Sequence, residues 1–364
     1  MNTSPTLRPL PVRLSIVFLA LRACLDLAAQ IAPGEPLNYR PLALQPEKWD
    51  QHKVNPTMIP WKGRNVVFLT APGEYDPHLM SIWIERLDAG WQTFLEITRR
   101  APKPHKQLEG KATIAAPPNP NLSCGVGCGF IGATGIELGK FYTDDLPSLK
   151  KDPQSMPHYA YYEMGRNFYT FEDRHSCFIT GFAVLMRYVC MDALKCHDTD
   201  LETRRTIESV EAFHRKSSTP FIDFFTGAGN IPEHVHRLKL PDGTTIQPSD
   251  QPVTYASAML RLHRELGGNP WLERFFTQLA QCPEAKPKKP VGALTQSWHW
   301  FVCASIAAQR NLAPIFCDEW RLPLSPNTRA KLDQLDWKAA SLNADSLLKQ
   351  ISPEWIPTTK PSAN

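Results

Sequence analysis

Tyr161, Tyr162, Glu163, Arg166 and Asn167 crowd onto one short stretch of predicted helix, about residues 157–171, and an apolar helical stretch over about 177–194 follows it. Ser155, Met156 and Pro157 give the first helix an N-cap and an early proline. A core helix would be apolar where this one is polar and ionisable, so it is expected to form the wall of a cleft. At helical spacing Tyr162, Glu163 and Arg166 share one face within roughly 100° of arc.

Upstream, strand and helix signals alternate. Residues 65–69 read as a short apolar strand ending at Pro72 and Gly73. Over 76–99, Leu79, Ile82, Trp83, Leu87, Trp91, Phe94, Leu95 and Ile97 keep a helical period, with Asp76 and Pro77 as N-cap and first turn. A strand over 111–115 leads into the glycine-rich segment 124–138. There Gly127, Gly129 and Gly132 formally match a dinucleotide-binding fingerprint, which needs a strand before it and a helix opening at its last glycine. Here a proline-rich loop precedes the glycines and the strand-like Ile136, Glu137 and Leu138 follow, so a turn or a close backbone approach is expected instead.

Downstream the chain turns helical, over 203–213, 253–266 (stopped by Gly267 and Gly268), 270–279, 293–308 and a last helix near 327–340. Ala256, Met259, Leu260 and Leu262 mark a packing face, and residues 221–230, apolar and then glycine-rich, read as a loop beside the site or a buried turn. A small hairpin is expected around Asp242 and Gly243. Residues 30–62 are proline-rich and without a periodic pattern, a leader that wraps or tethers, and 346–364 read as a loose tail.

The segment Tyr162-Glu163-Met164-Gly165-Arg166-Asn167-Phe168 has the spacing of a zinc-peptidase His-Glu-x-x-His helix with its Gly-x-Asn-Phe surroundings. Thr180-Gly181-Phe182-Ala183 is similar to the Glu-Gly-Phe-Ala segment from which a second helix supplies the third zinc ligand. Asp88-Ala89-Gly90-Trp91 looks like the opening helix of the same family, and 311–316 followed by Trp320, Arg321, Leu322, Pro323, Leu324 and Ser325 like its closing module. On these residues the chain resembles the gluzincin metallopeptidases of the enhancin-like and basic-secretory types, over roughly residues 63–326. In that motif two imidazoles on one helix face bind zinc and the glutamate is general base to a metal-bound water. Only the base position, Glu163, is kept here. Tyr162, Arg166 and Thr180 stand at the ligand positions, and an arginine is always protonated with no lone pair to give, so no metal is expected at these three.

The resemblance implies an α+β fold: a zincin-like lobe of mixed sheet plus active-site helix over 63–200, then a mainly helical lobe over 201–345, with the cleft between them. Tyr161, Asn167, Gly132 and Gly135 are expected to line that cleft. The sheet edge just before the active-site helix is where an extended substrate pairs in such lobes.

At 364 residues the chain is long enough for one large domain or two joined lobes. A net charge of +4 with no long block of like charge gives no sign of nucleic acid as a partner. Arg8 and Arg13 precede an apolar run over 14–21, with Ala28 and Ala29 beyond, the pattern of a signal peptide over 1–29, so the protein is expected to be secreted, cell-surface or periplasmic. No run is long enough for a transmembrane helix. Of nine cysteines, Cys124 and Cys128 bracket the glycine-rich turn, and disulfides are expected on export.

Two functions fit. In the first the protein is a pseudoenzyme without cofactor, whose former active-site cleft binds a peptide, protein or glycan, with Arg166 pairing Glu163 at i+3. In the second it is an active peptidase or glycopeptidase with Glu163 as general base. That site would hold zinc through His158, Glu163 and His175, or use Tyr162, Glu163 and Arg166 as acid, base and oxyanion partner. His158 and His175 also read as helix-boundary residues, and His234 with His236 lack a third ligand.

Overall fold

The computed structural model describes residues 32–39, 43–172, 179–225, 238–239, 245–246, 251–285 and 290–356. The expected signal peptide, His175, His234 and His236 lie outside the described residues. The architecture is α+β. A mixed sheet runs in the order β1 (Leu37–Asn38), β2 (Thr57–Lys62), β3 (Val66–Thr70), β5 (Lys111–Ala115), β7 (Ile136–Leu138) and β6 (Gly127–Gly129), with β4 (Gln107–Leu108) hairpinned onto β5. The β3/β5 and β5/β7 pairs are parallel, and the strands toward both edges are antiparallel. Central parallel strands are covered on both faces, which is why β3 is apolar at four of its five positions and wholly buried.

The crossover from β3 to β5 is the Pro77–Thr98 helix, opened by Asp76, whose carboxylate accepts from the His78 amide at 2.9 Å. Asp88, buried on this helix, accepts from the amides of Arg64 (2.5 Å), Asn65 (2.7 Å) and Val66 (3.1 Å), closing the β2–β3 turn. A Cβ on Gly90 would lie 2.4 Å from Tyr161 Cε1, and the rings of Trp91 and Phe94 pack on Phe168 at 4.7 and 5.0 Å. The Asp-Ala-Gly-Trp segment thus ties the sheet on one side to the His158–Phe168 helix on the other.

One hydrophobic core runs through both expected lobes, from Trp61 to Ile351. Phe276, on the Asn269–Leu279 helix, packs against Phe171 at 5.2 Å and Phe182 at 5.3 Å, and Arg99 pairs with Glu273 at 2.7 Å. The boundary expected near residue 200 is therefore bridged by shared core. The Leu201–Lys216, Gln251–Glu265 and Pro290–Ala308 helices complete this side. The short helix Phe221–Phe225 buries Phe221, Phe224 and Phe225, the buried alternative for the apolar half of 221–230, and residues 226–230 lie outside the described residues. In the closing module Trp320 Nε1 donates to the buried Glu211 at 2.6 Å, and Ser325 caps the Pro326–Asp333 helix.

Three segments depart from the pattern expected of them. The leader is structured where described: β1 and β2 extend the sheet, and Tyr39 and Trp49 fill a second, smaller core with Leu69 and Ala115. The last expected helix stops at Asp333, after which Trp337 turns inward and donates to the Leu332 carbonyl at 3.1 Å. Residues 346–356 are docked rather than loose, through the Ala344–Gln350 helix, buried Leu347 and an antiparallel bridge between Leu324 and Trp355. Proline-rich composition hid the first, and contacts distant in sequence fix the other two. Leu238–Lys239 pairs antiparallel with Thr245–Ile246, as the expected hairpin requires, and its turn at Asp242 and Gly243 lies outside the described residues.

Replacing Asp88 by alanine strands three backbone donors beside a buried helix, so Asp88→Ala should lose about 3 kcal/mol of stability in urea unfolding. A loss below about 1 kcal/mol would mean that water can replace the carboxylate there.

Candidate binding cleft

The motif helix spans His158–Phe168. Its inward side holds Tyr161, fully buried with its hydroxyl on the Arg86 carbonyl at 3.1 Å, together with Met164, Asn167 and Phe168. A Cβ on Gly165 would lie 2.8 Å from Ala183 Cα, so this helix and the Ile179–Ala193 helix meet backbone to backbone. They run in opposite directions, since Tyr162 faces Arg187 (Cζ 5.9 Å from the ring centroid) and His158 faces Tyr188 (5.9 Å between rings).

The β6–β7 hairpin lies on the other side of the motif helix. A Cβ on Gly127 would fall 2.9 Å from Glu163 Cγ, and one on Gly129 would fall 2.6 Å from the Glu163 carbonyl oxygen. The close approach expected of these glycines is therefore made by the motif helix itself. Asn167 Nδ2 donates to the carbonyls of Phe130 (2.9 Å) and Gly135 (3.2 Å), and its Oδ1 accepts from the Gly135 amide at 3.3 Å. The Gly132 amide donates to the Arg166 carbonyl at 2.9 Å. Tyr161, Asn167, Gly132 and Gly135, expected to line a cleft, thus brace the motif helix against Arg86 and the β6–β7 hairpin. A helix facing loop backbone needs polar side chains as much as one facing solvent does, which is why the pattern was ambiguous.

Glu163 is 5% exposed, and among the described residues its Oε2 accepts no hydrogen bond. Arg166 Nε stands 3.8 Å from that oxygen while donating to the Gly129 carbonyl at 3.3 Å, so the expected pair is a loose one. Burial pushes the Glu163 carboxyl up to about 7, with Arg166 opposing the shift. One turn earlier, Tyr159 donates to Asp145, whose carboxyl burial also raises to about 7. Tyr162, Arg166 and Thr180 are half-buried.

His158 does not join Glu163. Its Nδ1 meets Asp198 Oδ1 at 3.2 Å, where β8 (Ser155–Met156) pairs in parallel with β9 (His197–Asp198). Among the described residues no three His, Cys, Asp or Glu side chains gather as a metal site would require. Tyr162, Arg166 and Thr180 do not fit zinc either, because a guanidinium at the second position repels the ion.

Sequence reasoning passed over three residues here. Arg187 is a buried cation in a mostly apolar helix, a signal that was visible. Val126 and Ile131 flank β6 and are 47% and 50% exposed, which single-residue hydrophobicity could not indicate. Cys124 and Cys128 are paired at the head of this strand, with Cα atoms 5.8 Å apart. A cavity of about 300 Å³ elsewhere, walled by Arg274, Gln278, Ile306 and Leu342, includes none of the residues singled out above.

Folded Glu163 keeps its proton up to about pH 7, whereas the unfolded chain releases it near 4.5. The stability this contributes is full below the lower value and is lost as pH rises through the upper one, by up to about 3 kcal/mol. Asp145 shifts in the same direction, so the difference between wild type and Glu163→Gln isolates Glu163. Between about pH 5 and 8 the wild type should lose more stability than the variant; parallel profiles would contradict the burial argument.

No family model matches the chain, and no curated protein matches it. Among solved structures it is similar to a functionally unknown conserved protein from Bacillus anthracis str. Ames, at 14% identity and a TM-score of 0.47, over 82% of this chain and 57% of that one. The chain spans a little over half the length of that protein.

Proposed function

We propose that this is a secreted, metal-free relative of the gluzincin peptidases that binds an extended peptide along β6. The observation that carries this is the outer edge of that strand. Val126 and Phe130 turn their backbone groups to β7, through Gly139 N–H to Val126 O at 2.8 Å and Phe130 N–H to Gly135 O at 3.1 Å. Alternation then turns the amides of Gly127 and Gly129 outward, with the Gly129 carbonyl held by Arg166. Among the described residues no strand pairs with this edge, and with exposed Val126 and Ile131 flanking it the edge offers backbone pairing and apolar contact together, the two requirements of strand addition. The Cys124–Cys128 pair fits an oxidising compartment, in line with the N-terminal pattern.

One observation favours the hydrolase reading: a carboxyl that titrates near neutral pH is poised for general acid–base work. Against it, β6 lies over Glu163 and leaves that carboxylate almost no exposed surface. The non-catalytic reading also gives Arg166 a task, as the group that fixes the strand over the helix.

The test is selection of a phage-displayed random heptapeptide library on the full mature protein. Wild type and Glu163→Gln should both enrich β-prone sequences, and Val126→Asp/Ile131→Asp should weaken binding of the enriched peptides by about tenfold or more. Absence of enrichment on wild type, or enrichment unaffected by the double variant, would overturn the proposal.

A further inference from the structure

Resting on the peptide reading, we infer that Arg187 anchors a carboxylate of the bound peptide, so that the ligands are acidic. Arg187 is 8% exposed, and a guanidinium so buried ordinarily sits against a carboxylate. Among the described residues it has no such partner within 4.0 Å. Its Nη2 donates to the Tyr188 hydroxyl at 2.8 Å, and its Nε has no acceptor.

The nearby described acids make no ion pair with it within 4.0 Å. Asp198 Oδ1 takes His158 and the Asp200 amide, and its buried Oδ2 has no hydrogen-bond partner among the described residues; Asp200 caps the Leu201–Lys216 helix through Thr203, which with the more distant His158 and Arg187 holds its carboxyl below the usual range. Arg204, which also lies over the Tyr188 ring, is paired with Asp192 and Glu208. Of the two arginines over the Tyr188 ring, Arg187 is the one with no ion pair within 4.0 Å among the described residues.

Its position gives the inference content. The guanidinium carbon lies 4.5 Å from the Tyr188 ring centroid and 5.9 Å from that of Tyr162, the residue at the first substituted ligand position. Two rings hold the planar group in place, and a guanidinium so fixed takes a carboxylate through two parallel hydrogen bonds. Arg166 stands one helical turn beyond Tyr162 and adds a second positive charge on the same face. A glutamate or aspartate side chain is the matching group, and a neutral peptide would leave the arginine unpaired.

The same heptapeptide library reads this out. Wild type should enrich an acidic residue at one fixed position beside the β-prone ones. Arg187→Gln should lose the acidic preference while keeping the others, and Arg187→Lys should keep it in part. For the best enriched peptide, changing its acid to the amide should weaken binding to wild type about tenfold and leave binding to Arg187→Gln unchanged. That peptide pair needs only wild type, so misfolding of a variant does not remove the test. Enrichment without acidic preference, or an acidic preference kept in Arg187→Gln, overturns this inference and leaves the peptide reading standing. Absence of any enrichment on wild type overturns both.

Discussion

The structure depends on how tightly the His158–Phe168 helix is gripped by its neighbours. On one side the absent side chain of Gly90 admits the Tyr161 ring; on another Gly165 lets the Ala183 backbone touch; on a third Gly129 meets the helix's own carbonyl at Glu163. Any side chain at these positions would push two elements apart in a core that packs without spare volume. Asn167 and the Gly132 amide then fix the β6–β7 hairpin to the helix by hydrogen bonds. The position of Glu163, the exposure of Tyr162 and the presentation of the β6 edge all follow from this grip.

Much of the frame was legible in the sequence. The strand over 111–115 is observed with those bounds, and the long helix begins and ends within a residue of its expected limits, because Asp76, Pro77 and a strong apolar period act locally. The motif helix was legible as an element but not in its orientation. Polar side chains that satisfy buried backbone and polar side chains that face a cleft give the same pattern, so Asn167 and Tyr161 pointed outward in the sequence and inward in the fold. The ordering of the proline-rich leader could not be read either. It depends on Tyr39, whose hydroxyl reaches the buried Glu137 at 2.7 Å across 98 residues of chain. Local propensity carries no trace of such a partner.

On the proposed reading, the residues at the three ligand positions make physical sense as a set. A metal would neutralise Glu163; here Arg166 stands 3.8 Å from it, Arg187 lies 5.9 Å from the centroid of the neighbouring Tyr162 ring, and the carboxyl group is buried instead of opening to water. Under that proposal a site with fixed cations and a covered carboxyl group holds an anionic chain instead of activating water at a metal. The second reading, in which a new metal site replaces the old one, requires His158 to leave Asp198 and approach Glu163.

The proposal that this helix keeps a peptidase-like frame without a peptidase metal is tested most directly by elemental analysis of the purified protein. Zinc, with the other divalent metals, is expected well below about 0.1 per chain after dialysis without chelator. About one tightly held zinc per chain, lost on His158→Ala, would contradict the account and return the site to hydrolytic chemistry.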